Sequence, residues 1–195
     1  MSMLVDFEIR RLCQEKAMIT PFCEETSGDG VISYGLDHAG YCIRLATTAW
    51  VSKNTHNLVV DPKRFRDETY RRRLFDEVEV SPHDPIVIPP NGFILGSSFE
   101  YFRIPRNVKG HCIGKSTYAR CGIIPYMTPL EPGWEGTLTI EIGNASPCPA
   151  YVYTMEGICQ IEFVELAMTP EVTYDQKRGG GKYQGQRGIT PAIVQ

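Results

Sequence analysis

From residue 77 onward the chain consists of short apolar runs broken by proline and glycine, and this punctuation constrains the fold more than any other feature. Val78-Glu79-Val80 and Ile86-Val87-Ile88 are predicted strand pieces. Pro89-Pro90-Asn91-Gly92 is a predicted turn, and Phe93-Ile94-Leu95 opens the return strand. Tyr151-Val152-Tyr153, a Glu156-Gly157 turn and residues 158–164 predict a further hairpin. With fourteen prolines and few long helices, the pattern predicts a mainly β domain, a distorted barrel or jelly roll with a few short helices.

The helices are confined to the first half. Val5, Ile9, Leu12 and Cys13 fall on one side of residues 5–17, predicting a short amphipathic helix capped by Asp6. Asp61-Pro62 predicts a second helix start, leading into the charged stretch from Lys63 to Leu74. Arg71-Arg72-Arg73 reads as a solvated helix face or loop. With 195 residues, no internal repeat and no linker, residues 1–175 are expected to form one domain. Residues 176–195 are polar and glycine-rich, a composition that predicts disorder.

A net charge of -3 argues against a general nucleic-acid binder but leaves room for a local basic pocket. Seven cysteines, an odd number without C-x-x-C spacing, point to reduced thiols in a cytosolic protein. The first ten residues carry charges where a signal peptide needs an apolar core, and no apolar run approaches the roughly 20 residues that span a bilayer. The expectation is a soluble, cytoplasmic protein with no membrane partner.

The segment Gly114-Lys115-Ser116-Thr117-Tyr118-Ala119-Arg120 crowds donors around a small-residue turn. Gly110 to Ser116 nearly matches a phosphate-binding P-loop, but three residues separate the glycines where the motif needs four, and Pro125 spoils the helix that should follow. What remains is either a polar turn with a surface ion pair or a cluster of donors for phosphate oxygens. Further on, Leu138, Ile140 and Ile142 alternate with Thr137, Thr139 and Glu141. By periodicity Glu141 is a solvent-facing strand carboxylate. If its face lines a pocket instead, desolvation raises its pKa and suits it to moving protons. Zinc deaminases acting on nucleobases use H-x-E with a later P-C-x-x-C. Here Cys148 has no second cysteine three residues on, and His38, His56, His83 and His111 are scattered, so no zinc site is expected.

Taken together, these segments resemble the dCTP deaminase family of the dUTPase-like superfamily, over about residues 3 to 190. The matching stretches are Val31 to Gly35, Val60 to Lys63, Tyr101 to Arg106, Gly114 to Gly122, Thr128 to Gly136 and Gly181 to Gly188. The resemblance implies a β-clip subunit assembled as a homotrimer, with active sites between subunits. It implies conversion of dCTP to dUTP and ammonia without zinc, with Mg²⁺ accompanying the triphosphate. By position, Glu141 matches the catalytic glutamate, acting as general base and then acid. Ser116 and Arg120 match residues that position water and base and stabilise charge. Lys115, Ser116, Thr117, Tyr174, Lys182 and Gln186 match triphosphate contacts, and Glu131 an acid that binds deoxyribose. Thr139 and Ile140 flank the glutamate where backbone groups read the pyrimidine edge. The basic, glycine-rich tail is then expected to fold over the nucleotide.

The chain departs from the family at two places. Cys42 stands where aspartate is usual, which bears on a subunit contact or the finer site architecture. Pro125-Tyr126 lies beside the expected base pocket, in a stretch that in relatives takes part in dTTP feedback, so a tyrosine there bears on regulation or on substituted cytosines. Alternative readings are a bifunctional dCTP deaminase/dUTPase using Glu131 to form dUMP and pyrophosphate, and a non-catalytic nucleotide-binding regulator. A pure dUTPase would leave Glu141 without a purpose.

Overall fold

The computed structural model describes residues 1–25, 30–53, 58–126 and 128–194; His56 and Met127 lie outside these. In chain order the elements are β1 (Ser2–Met3), α1 (Asp6–Lys16), β2 (Ile19–Thr20), β3 (Gly35–Asp37) and β4 (Gly40–Ser52). A 3₁₀ turn (Pro62–Arg64) and α2 (Glu68–Leu74) precede β5 (Phe75–Glu79), β6 (Pro85–Ile88), β7 (Phe93–Arg103) and β8 (Val108–Gly114). Then come α3 (Ser116–Ala119), β9 (Ile123–Pro125), β10 (Pro129–Leu130), β11 (Glu135–Asn144), β12 (Ala150–Tyr153), β13 (Gly157–Glu165) and a 3₁₀ turn at Tyr174–Gln176. The mainly β reading holds.

One large antiparallel sheet runs β10-β8-β13-β4-β7-β11-β9, with β1, β2, β3 and β5 added on β13, β7 and β4; β6 and β12 form a separate two-stranded sheet. β4 makes the sheet curl. Its first residues pair with β13, its register shifts between Leu45 and Ala49, and its later residues pair with β7 and β5. A bulged strand that serves two halves turns a flat sheet into a half-barrel. The concave side holds one apolar core, including Ile9, Met18, Tyr41, Ile43, Leu45, Phe102, Ile142, Ile161 and Phe163, all 0% exposed. Each such side chain contributes roughly 1.5–3 kcal/mol by burial. A smaller aromatic cluster, Phe65, Tyr70, Leu74, Phe75 and Leu95, lies outside it, and Phe75 meets Phe93 edge-on at 5.4 Å.

Neither predicted hairpin forms. The turn after β6 is real, with Gly92 N–H donating to Pro89 C=O at 3.0 Å. However, β6 pairs with β12, while β7 pairs with β4 and β11. Residues 94–98 of β7 are buried without a break, the mark of a strand covered on both faces. β13 is likewise central, between β8 and β4. At its start, a side chain at Gly157 would overlap the Ser33 carbonyl, so glycine lets the 31–34 loop lie directly on the strand.

The helices start differently from the sequence reading. Asp6 is the first residue of α1 and Val5 is its cap, with the Val5 N–H donating to the Glu8 carboxylate at 3.1 Å. Asp61 caps only a 3₁₀ turn, accepting from Lys63 N–H at 2.9 Å, and Asp67 caps α2 anew by accepting from Tyr70 N–H. The three arginines end α2, where cations complement the helix dipole. Arg72 pairs with Glu68 at 2.7 Å, while Arg71 is drawn over the Trp50 ring.

Candidate active site

β11 supplies the centre of the site. A bulge between Thr137 and Thr139 interrupts its ladder with β7 and breaks the predicted alternation. The Leu138 amide at the bulge is satisfied by the Ser98 hydroxyl at 2.8 Å. In consequence Leu138, Thr139 and Glu141 all line one cavity of about 520 Å³, whereas Thr137 does not. Ile140, opposite them, is 2% exposed and turns into the core.

Glu141 is therefore not a solvent-facing strand carboxylate. It is half-buried, and Leu95, its ladder partner on β7, stands beside it in the cavity wall. Its Oε2 is buried with no hydrogen-bond partner, and burial pushes its pKa above the ordinary carboxylate value. Among the described residues the only other buried side-chain oxygen or nitrogen without a partner is Gln186 Oε1, and Gln186 lines the same cavity. Buried acceptors are nearly always satisfied. Two unsatisfied ones in one cavity mark a place for a ligand rich in donors.

The cavity also takes in Glu131, Tyr174, Thr139 and, with no role assigned from the sequence, Lys177, Tyr183, Trp134 and Thr128. Glu131 Oε1 lies 3.6 Å from Lys109 Nζ. Lys177 Nζ sits 4.7 Å over the Tyr174 ring, and the Tyr174 hydroxyl accepts from Tyr183 N–H at 3.0 Å. Lys177 belongs to the polar, glycine-rich tail and Trp134 to the Thr128–Gly136 segment, so their segments were visible in the sequence but these positions were not. On the remaining wall stand Phe65 and Phe93, with Ala192 beside them.

The tail, which composition reads as disordered, is seated along β11 by two backbone hydrogen bonds and one from the Gln186 side chain. Thr137 N–H donates to Gln186 C=O at 3.0 Å, Gly185 N–H to Glu135 C=O at 2.8 Å, and Gln186 Nε2 to Thr137 C=O at 2.7 Å. Gly136, at φ +150°, allows this approach: a Cβ there would sit 2.9–3.0 Å from Trp134 and Gln186. Trp134 Nε1 donates to Tyr183 C=O at 2.8 Å, and Thr190 N–H to Thr139 Oγ1 at 3.1 Å. Lys182 is exposed and does not line the cavity.

Lys115, Ser116, Thr117 and Arg120 do not line it either. They sit on or beside α3, beyond the end of β8, with Ser116, Thr117 and Arg120 exposed. Lys115 Nζ donates to Ser33 Oγ at 3.2 Å and to Cys42 Sγ at 3.1 Å. Burial pushes the Cys42 thiol pKa up, and the Lys115 ammonium pulls it part of the way back. Tyr126, 57% exposed, donates its N–H to Glu141 C=O at 2.8 Å, and its ring covers Gly143, two residues along the same face of β11. All seven cysteines are free thiols, and among the described residues no group of three or more His, Cys, Asp or Glu could hold a metal ion. No helix among them is long and apolar enough to cross a membrane.

A family model for dCTP deaminase-like proteins matches residues 3–166. A dCTP deaminase of Nitratiruptor sp. is 50% identical over 195 residues, covering 100% of both chains. One of Herpetosiphon aurantiacus is 48% identical over 190 residues, covering 97% of this chain and 98% of its own. The solved structure of the 2'-deoxycytidine 5'-triphosphate deaminase of Agrobacterium tumefaciens is similar in fold, with a TM-score of 0.57 at 20% identity; the match covers 83% of this chain and 47% of that one. With the family model spanning most of the chain and such relatives aligning from end to end, the chain belongs to the dCTP deaminase-like family.

Proposed function

We propose that this protein hydrolyses dCTP to dUTP and ammonia, with Glu141 as the group that moves the protons. The observation that carries this reading is the buried, unpartnered Glu141 carboxylate in the cavity of β11 and the tail. The end-to-end relatives, named dCTP deaminases, support it. Glu141, its affinity for a proton raised by burial, takes one from water as the oxygen bonds to C4 of the cytosine. Glu141 delivers this proton to N3 of the ring, then takes the remaining proton from the new C4 hydroxyl and passes it to the 4-amino nitrogen. The C4–N bond breaks, and ammonia leaves as the C4 carbonyl forms. Backbone groups of Thr139 and Ile140, which flank Glu141, would read the pyrimidine edge, and Glu131 would bind the deoxyribose. Tyr174, Gln186 and Lys177 form the polar end for the phosphates, which Lys182 reaches if the tail tightens on the ligand.

Glu131 is a carboxylate of the cavity that would help hold a magnesium ion kept chiefly by phosphate oxygens and water. Bound there, it would neutralise phosphate charge. dTTP, sharing the pyrimidine and triphosphate, competes for the same cavity. The absence of Lys115, Ser116, Thr117 and Arg120 from the cavity supports a homotrimer in which a neighbour supplies them. Arg120 would then stabilise charge near Glu141 and Ser116 would position the water.

The test is incubation with dCTP and Mg²⁺, resolving products by chromatography. The wild type is expected to yield dUTP and ammonia, and Glu141→Gln to lose at least about a hundredfold in rate, the usual contribution of a placed acid/base group. dUMP with pyrophosphate would assign a second activity to the site, with Glu131 as the carboxylate to vary. No turnover by the wild type, or undiminished turnover by Glu141→Gln, sinks the reading.

A further inference from the structure

We propose that Arg187 and Tyr101 form a latch holding the tail against β11, which makes Tyr101 a positioning residue that acts through Gln186. The inference deepens the reading of the Glu141 cavity and rests on it for its kinetic arm. Gly136 and Gln186 form a parallel bridge, and the Gln186 side chain enters the cavity. Arg187, next along this strand-like segment, is therefore turned to the other side. There its guanidinium carbon lies 4.5 Å from the centroid of the Tyr101 ring. Tyr101 belongs to β7 and is the ladder partner of Thr137, whose N–H donates to Gln186 C=O. Arg187 thus reaches across β11 from the tail to the next strand, and it joins the tail to the body of the sheet by a side chain.

The far end of the latch is fixed. Arg103 also lies over the Tyr101 ring, at 4.8 Å, and donates to Ala17 C=O at 3.4 Å and Thr20 Oγ1 at 3.5 Å. Glu135, 3.9 Å from Arg103, offsets a small part of the positive charge gathered at the ring. Arg187 makes no ion pair among the described residues, so the ring face is what its charge rests on. If the latch releases, the backbone pairing at Gln186 loses one of its side-chain anchors and the Gln186 amide leaves the cavity more often.

The test measures amide hydrogen exchange without nucleotide, then kcat and KM for dCTP, in the wild type, Tyr101→Leu, Tyr101→Phe and Arg187→Gln. Exchange in residues 184–190 is expected to rise about two- to fivefold in Tyr101→Leu and Arg187→Gln, the effect of losing one exposed cation–π contact. Exchange in the β4 and β13 peptides should be unchanged. KM should rise by a similar factor with kcat nearly kept, and Tyr101→Phe, which retains the ring, should match the wild type. Unaltered tail exchange in Arg187→Gln, or a Phe variant as damaged as the Leu variant, overturns the latch. If tail exchange responds as expected while even the wild type fails to deaminate dCTP, the latch stands and the proposed function falls.

Discussion

At the scale of single residues, Glu141 combines a structural cost with a chemical use. Burial raises its pKa, so between the ordinary glutamate value of about 4.3 and the raised one the native state binds more protons than the unfolded chain. Stability consequently falls as pH rises through that window, and above it the buried charge remains a constant penalty. Glu141→Gln should then stabilise the unliganded protein by roughly 0.5–2 kcal/mol at pH 8, the range typical of relieving a functional position, with the gain shrinking as pH is lowered toward 4. The acid limb of kcat/KM for the wild type should lie above the ordinary glutamate range, because the base must be ionised to accept a proton. Thermal melts at the two pH values check the first claim; a glutamine variant equally or less stable at pH 8 would refute it. Periodicity alone shows this residue only as a carboxylate on an alternating strand; the family resemblance is what marked it as catalytic. Alternation separates two faces but does not say which is wet, and the bulge that gathers Leu138 and Thr139 beside Glu141 depends on a hydroxyl from Ser98, forty residues away in sequence.

At the scale of elements, the junction of β4 and β7 shows the same dependence on distant partners. Glu100 is 0% exposed, and its carboxylate accepts from Arg44 Nε at 2.7 Å and from Arg44 N–H at 3.0 Å. The guanidinium is sandwiched between the rings of Tyr34 and Phe99, at 4.8 and 4.6 Å. Burial pushes the Glu100 pKa up, and Arg44 pulls against it. Arg44→Met strands the carboxylate and should cost about 3–5 kcal/mol, whereas pairing it with Glu100→Leu should recover most of that loss, because both buried charges are then gone. Chemical denaturation of the single and double variants measures the difference; a double variant no more stable than the single one would show that the pair is not the origin of the loss. The elements themselves were largely legible, since strands and turns carry local signals. Their pairing was not, because the turns at 89–92 and 154–156 fix only a change of direction, and the partner of each strand is chosen by which apolar faces the curled sheet can bury.

At the scale of the whole molecule, the tail and the subunit boundary are where composition says least. A glycine- and glutamine-rich segment has little apolar surface to pack, yet its backbone can pair with an exposed strand, and β11 offers the free N–H of Thr137 and C=O of Glu135. Such docking leaves no hydrophobic trace in the sequence. The subunit boundary poses the complementary problem: Ser116 and Arg120 resemble catalytic groups, but within one chain they lie outside the cavity of Glu141.

If each site joins Glu141 of one subunit to Arg120 of the next in a closed ring, two different inactive variants can complement each other. Glu141→Gln subunits retain Arg120, and Arg120→Ala subunits retain Glu141, so a mixed trimer contains boundaries where both groups are intact. With random assembly from equal amounts, a given boundary has the right subunit on each side with probability one half times one half. Mixing after reversible dissociation should thus restore about a quarter of wild-type dCTP turnover from two preparations that are each nearly inactive. Subunits that complete their own sites, or that remain monomers, would restore nothing, because every cavity would still lack one of the two groups. Light scattering on the same mixture separates those outcomes: an inactive mixture of trimers would place Ser116 and Arg120 in the site of their own chain, and an active monomer of wild type would remove the need for a neighbour altogether.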